Sequence, residues 1–188
     1  YVSSGKTIQN VNAPSVTTMK QADAEKLLKD KKLIAEVEEV YYSKGSNYEY
    51  APVGYVIKQE PASGSSIAEG STVKIYVNKG FSANITVNLP SDLKLEQYYV
   101  SLWADGVAVA ESKMLDATQL SKYTFENVTS KRDSGTYTVK IRSASSNALD
   151  YQVITVDFKE GTANRVGSYD DYKKLDADTS SSDNEDFN

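Results

Sequence analysis

Between residues 18 and 80 the spacing of apolar positions changes from a helical to a strand period. Ala24, Leu27, Leu28 and Lys31 fall at i, i+3, i+4 and i+7, a mostly apolar stripe that predicts an amphipathic helix from Gln21 to Lys31. Thr18-x-x-Gln21 has the form of a capping box and is expected to start it. Asp23 and Glu25 in the first turn, and Lys29, Lys31 and Lys32 in the last, complement the helix dipole. Leu33, Ala35 and Val37 then alternate along Leu33 to Glu38, with the glutamates outward, as in a half-buried strand. The stretch Gly54 to Gly80 reads as strand, tight turn, strand, because Val56 and Ile57 open an extended run, Pro61 and Gly64 interrupt it, and Val73, Ile75 and Val77 alternate. One helix on three strands makes a small α+β unit.

From Phe81 onward the period is that of strands alone. Candidates are Asn84 to Leu89, Tyr98 to Trp103, Val107 to Glu111, Tyr123 to Val128, Thr136 to Arg142 and Tyr151 to Phe158. Six short strands separated by turn signals predict an all-β sandwich. Asp105-Gly106 is a strong hairpin signal, since both residue types tolerate positive φ. Trp103 is the candidate core tryptophan. Beyond Gly161 no apolar period remains, and Thr162 to Asn188 reads as a disordered acidic tail.

Composition is ordinary for a globular chain, 39% hydrophobic and 25% charged over 188 residues, enough for two small domains. Charge adds more. Between residues 169 and 188 seven carboxylates face two lysines, which accounts for the whole net charge of −5. The remainder balances, leaving no basic stripe for nucleic acid or for an anionic membrane surface, so neither partner is expected. With no cysteine and no histidine, disulfides and the commonest zinc, iron and copper ligands are excluded, and no metal or cofactor is expected. No apolar run approaches the roughly 18 residues that span a bilayer.

Catalytic motifs are equally sparse. S-x-x-K occurs at Ser3 to Lys6, Ser71 to Lys74 and Ser91 to Lys94, with Ser182-Asp183-Asn184 in the tail, but no K-T-G follows. Ser71 and Lys74 are separated by an odd offset, which puts them on opposite faces of a strand. A Ser-His-Asp triad is impossible without histidine, and no phosphate-cradling glycine motif is present. The expected class is non-enzymatic. Tyr1 is not an initiator methionine, and Tyr1-Val2-Ser3-Ser4-Gly5 echoes Tyr76-Val77-Asn78-Lys79-Gly80 at an offset of 75, so a fragment that opens on the end of a preceding repeat is expected.

At these residues the chain resembles the PASTA domain, named for penicillin-binding proteins and Ser/Thr kinases. The proline-containing opening strand is Ala13 to Met19, the helix carries Ala24-Glu25-Lys26-Leu27-Leu28-Lys29, and Gly54-Tyr55-Val56-Ile57-Lys58-Gln59-Glu60-Pro61 is similar to the family's G-x-V-I-x-Q-x-P. Gly64, Gly70, Val73 and Val77-Asn78-Lys79-Gly80 fall where its G, G, V and V-S-K-G fall. The chain departs from the pattern at Thr18 and Lys32, where the family has glycine, and in the long Tyr-rich loop Ser43 to Val53. Downstream, Asp133-Ser134-Gly135-Thr136-Tyr137-Thr138-Val139 resembles the D-S-G-x-Y-x-C run of immunoglobulin domains, with Val139 in place of the cysteine and Tyr137 in place of the tyrosine corner. The expected division is 1–9, the end of a preceding PASTA repeat; 10–80, a PASTA domain; 81–160, an immunoglobulin-like sandwich; and 161–188, the tail.

The resemblance implies the extracellular end of a Gram-positive PASTA Ser/Thr kinase, in the cell wall space outside the cytoplasmic membrane, that contacts peptidoglycan fragments. It also implies self-association through a full-length array. The candidate ligand-binding residues are Glu36, Glu38, Tyr55, Glu60, Lys74, Tyr76 and Asn78. Lys74, Tyr76 and Asn78 should face away from Val73, Ile75 and Val77, beside the glutamates of a neighbouring strand. Tyr41, Tyr42, Tyr48, Tyr50 and Tyr55 either bind sugar or pack on the next domain. A structural spacer and the PASTA region of a penicillin-binding protein are the competing readings.

Overall fold

A computed structural model of the chain describes residues 8–46, 51–116, 118 and 120–176. It divides the chain into Tyr1–Phe81 and Ser82–Asn188. The five-residue echo at the N-terminus, Tyr48, Tyr50 and the last twelve residues lie outside the described residues.

The first unit opens with β1 (Asn10–Asn12) and α1 (Gln21–Asp30), then β2 (Ile34–Tyr42), β3 (Val56–Glu60), β4 (Ser66–Ala68) and β5 (Thr72–Asn88). Its sheet runs β2-β5-β3, parallel between β2 and β5 and antiparallel between β5 and β3, so the expected helix on three strands is present. The expected tight turn between the last two strands is not. Residues 61–71 instead carry β4, which pairs antiparallel with β1 through Val11 and Ile67. The opening strand is accordingly Asn10–Asn12, ahead of Ala13 to Met19. Gln59 explains how that segment is held without a ladder: its buried amide accepts from Val16 N–H at 2.8 Å and donates to the carbonyls of Pro14 and Pro61. Val16, Ala24, Leu28, Leu33, Val56, Val73, Ile75 and Val77 close into one core.

Both helix ends depart from the sequence reading. Thr18 has φ 69°, so the helix starts two residues later at an extended Lys20 with no side-chain cap, and Gln21 bonds Glu25 at 2.7 Å. At the other end Leu33 N–H donates to Leu28 O and Lys32 N–H to Lys29 O, both at 2.9 Å, which is a Schellman motif with Lys32 as its left-handed residue (φ 57°). Thr18 and Lys32 are the two positions where the PASTA pattern has glycine. Left-handed backbone costs an L-residue roughly 1–2 kcal/mol, part of which glycine's greater unfolded entropy offsets. The Lys32–Glu69 ion pair is exposed and contributes little in return. Lys32→Gly should therefore raise stability by about 1 kcal/mol in urea melts, and a lower midpoint would show that the ion pair outweighs backbone strain.

β5 does not stop at Gly80 but continues to Asn88, so its later part belongs to the second unit. The elements that follow are β6 (Gln97–Ala104), β7 (Val107–Glu111), β8 (Leu115–Asp116), β9 (Lys122–Ser130), β10 (Ser134–Arg142), β11 (Leu149–Asp157), β12 (Thr162–Ser168) and a 3₁₀ turn, Asp171–Lys174. One sheet runs β12-β11-β10-β6-β7, with β8 on β6, while β9 pairs β5. The run β11-β10-β6-β7 has the order that the G, F, C and C′ strands take in variable-type immunoglobulin sheets, with which the domain is compatible. Tyr137 is 6% exposed, and its ring folds back so closely that a Cβ on Gly135 would sit 3.1 Å from it. Burial first, partly offset by the Ser130 side chain, raises the pKa of its hydroxyl.

Two sequence expectations fail in this unit. Trp103 is not in the core, because Tyr98, Val100 and Leu102, all 0% exposed, take the inward parity of β6. Trp103 instead lies on the other face, its Nε1 donating to Ser101 Oγ at 2.8 Å and Lys140 over its ring. The tail does not begin at Thr162 either. β12 pairs antiparallel with β11, and Tyr172 and Leu175 beyond it are buried at 5% and 2%. Tyr172 stacks edge-on against Tyr151 and donates to Asp92 at 2.7 Å, which closes the segment down.

Candidate functional site

Register on the first sheet creates the site. Lys74 on β5 pairs with Glu36 on β2 and with Glu60 on β3; one step further, Tyr76 pairs with Glu38 and Lys58. Side chains two apart share a face, so both three-residue rows project from the side opposite Val73, Ile75 and Val77. Those three valine and isoleucine side chains are fully buried toward the core of α1. The face thus carries three carboxylates, two ammonium groups and a phenol, with one excess negative charge.

These groups already interact. Lys74 Nζ lies 3.0 Å from Glu38 and 3.6 Å from Glu36, Tyr76 donates to Glu60 at 3.0 Å, and Lys58 pairs with Glu60. Lys58 also sits over the Tyr76 ring at 5.0 Å. The hydrogen bond from Lys58, then that from Tyr76, lowers the Glu60 pKa; the Glu38 hydrogen bond raises that of Lys74, and the Glu60 bond raises that of Tyr76. Every one of these shifts favours the ionisation state that makes the contact. The carboxylates remain accessible, with about half of each side chain exposed for Glu36, Glu38 and Glu60.

Of the seven candidate residues, Glu36, Glu38, Glu60, Lys74 and Tyr76 come together here, but Tyr76 is only 9% exposed and edges its hydroxyl, not its ring, toward the surface network. Tyr55 stands before β3, where its carbonyl accepts from Asn78 N–H, and no side-chain contact among the described residues joins it to the network. Asn78 has to be withdrawn from the surface. It is 1% exposed because Ala51 to Gly54 folds over this end of the strand: its amide donates to Ala51 O at 2.6 Å and accepts from Gly80 N–H at 3.1 Å. Lys58 is the residue that the sequence reading missed; its signal was its offset of two from Glu60 on one strand. Tyr41, 42% exposed on β2, is the accessible aromatic among the loop tyrosines described.

Residues 11–79 match the family model of the PASTA domain. Among solved structures, the entire extracellular region of the Ser/Thr kinase PrkC from Staphylococcus aureus is similar at 22% identity and a TM-score of 0.33, over 81% of this chain and 53% of that one. The chain therefore spans about half the length of that region. No curated protein shows significant similarity to the chain. No helix among the described residues is long and apolar enough to cross a membrane.

Proposed function

We propose that this chain is a non-catalytic extracellular sensor region of a membrane Ser/Thr kinase, in which the PASTA sheet binds peptidoglycan fragments and couples cell-wall state to kinase dimerisation. The observation that carries it is the pair of cross-strand rows, Glu36-Lys74-Glu60 and Glu38-Tyr76-Lys58, on the outward face of a PASTA domain. A stem-peptide ammonium competes with Lys74 for Glu36 and Glu38, and a stem carboxylate competes with Glu60 for Lys58, by charge-assisted hydrogen bonds. The Tyr76 ring is too covered to stack on sugar, so a glycan would use the exposed Tyr41 instead. The sandwich after the PASTA domain favours a kinase over a penicillin-binding protein, a preference that rests on family analogy.

One feature of the site supports a second reading, a structural spacer or protein-interaction module in the wall. Lys58, Lys74, Glu38 and Glu60 are already engaged with one another, so a ligand must exchange contacts instead of filling vacant ones. An amide NMR titration with defined muropeptides, varied in stem residue and glycan length, decides between them. Sensor function predicts saturable shifts on residues 36–38, 58–60 and 74–76 with Kd of about 1 mM or tighter, weakened at least about tenfold by Glu36→Gln together with Glu38→Gln, which removes both acceptors of the ammonium. Absence of localised shifts at millimolar ligand overturns the sensor reading and leaves the spacer.

A further inference from the structure

The sandwich carries a pocket of about 450 Å³ beside the β9–β10 turn, within the size range of small-ligand sites. It is independent of the PASTA face. Its wall includes Lys131 and Arg132, both exposed and neither in an ion pair among the described residues. The adjacent acid does not neutralise them, since Asp133 pairs with Lys159 at 3.1 Å. Facing them is the single carboxylate of Asp105, from the β6–β7 hairpin turn, so the pocket is net positive in a chain whose net charge is −5.

The rest of the lining is chiefly hydroxylic. Ser134 and Thr136 contribute hydroxyls, and Ser130 Oγ accepts from Arg132 N–H at 3.0 Å, which ties the turn together beside the pocket. Val109, 45% exposed, supplies one apolar edge. Two cations are too few for a polyanion such as nucleic acid, and hydroxyl donors and acceptors around a cationic wall suit a hydroxylated skeleton that bears one oxyanion.

We propose that this pocket binds a small anionic carbohydrate, a sugar acid or a sugar phosphate, with Lys131 and Arg132 holding the oxyanion and Asp105, Ser134 and Thr136 the ring hydroxyls. The two sources of oxyanion are separable by titrating the ¹⁵N-labelled chain in parallel with glucuronate, glucose 6-phosphate and uncharged glucose, at matched ionic strength set with sodium chloride. At least one acid should give saturable shifts at the amides of residues 131–136, with Kd of about 1 mM, and glucose should bind at least about tenfold more weakly. Preference for one acid assigns carboxylate or phosphate as the recognised group. Lys131→Ala with Arg132→Ala should abolish the shifts while leaving the spectrum dispersed, because both side chains are exposed. The proposal is overturned if neither acid saturates up to about ten times that concentration, if sodium chloride alone produces the same shifts, or if the double variant binds undiminished. Residues 36–76 report the PASTA face separately, so the two readings fail independently.

Discussion

Leu28→Ala is expected to cost the first unit about 2–5 kcal/mol, the largest single effect foreseen for this chain. Leu28 is 0% exposed and lies where the helix stripe, Leu33 and the inward side chains of β3 and β5 converge. Truncation loses its transfer free energy and leaves a cavity that the neighbouring strands cannot fill without breaking their ladder. A segment of this size has limited apolar area to bury, and domain stabilities lie near 5–15 kcal/mol, so the loss is a large fraction of the total. Leu28→Met keeps the volume and should cost less than about 1.5 kcal/mol. Urea melts with residue-resolved hydrogen exchange at 16–77 measure both. A loss below about 0.5 kcal/mol for the alanine variant, the scale of a surface substitution, would remove Leu28 from the core.

That prediction was open to the sequence because Ala24 and Leu28 obey a period that only a core-facing helix needs. Other features were not, for identifiable reasons. The capping box at Thr18 is a correct local pattern overridden by tertiary structure: Thr18 N–H is bound to Val56 O, which holds the residue at positive φ and moves the helix start to Lys20. Asn78 obeys strand parity, yet parity says only which way a side chain leaves the strand, and the segment at Ala51 covers it from outside. Trp103 shows the converse. Its size suggested the core, but Val100 and Leu102 had already taken the inward positions, and a tryptophan with a serine acceptor and a lysine above its ring is accommodated on the other face.

β12 was hidden for another reason. An edge strand is defined by the backbone bonds it makes to its neighbour, and Thr162-Ala163-Asn164-Arg165-Val166-Gly167-Ser168 needs no apolar period to make them. The candidate site was legible as residue types but not as a pattern. Glu36, Glu38, Lys74 and Tyr76 follow from alternation alone, whereas the parallel pairing of β2 with β5 and the antiparallel pairing of β3, which align them in rows with Lys58 and Glu60, are decided by contacts distant in sequence.

The second large effect has the opposite sign. Tyr98 is 0% exposed, and its hydroxyl has no hydrogen-bond partner among the described residues. A buried polar group left unbonded costs about 1–3 kcal/mol, so Tyr98→Phe, which deletes that oxygen and keeps the ring packing, should raise stability at neutral pH by about that amount. Tyr172 is the internal contrast: its hydroxyl donates to Asp92, and Tyr172→Phe should destabilise. Alkaline melts separate the two further. Burial first, then the neighbouring Tyr151, pushes the Tyr98 pKa from 10.0 up to about 12; burial first, then the Asp92 hydrogen bond, does the same for Tyr172. In both, the folded state holds its proton more tightly than the unfolded chain. Ionisation therefore costs the fold nothing below pH 10, and stability falls as pH rises from 10 toward 12, the interval in which unfolding releases protons. Either phenylalanine variant should make that decline shallower, but only Tyr98→Phe should do so from a higher starting stability. A lower midpoint for Tyr98→Phe at pH 7 would mean that the hydroxyl is satisfied in solution, and the core of the sandwich would then have to be polar at this point.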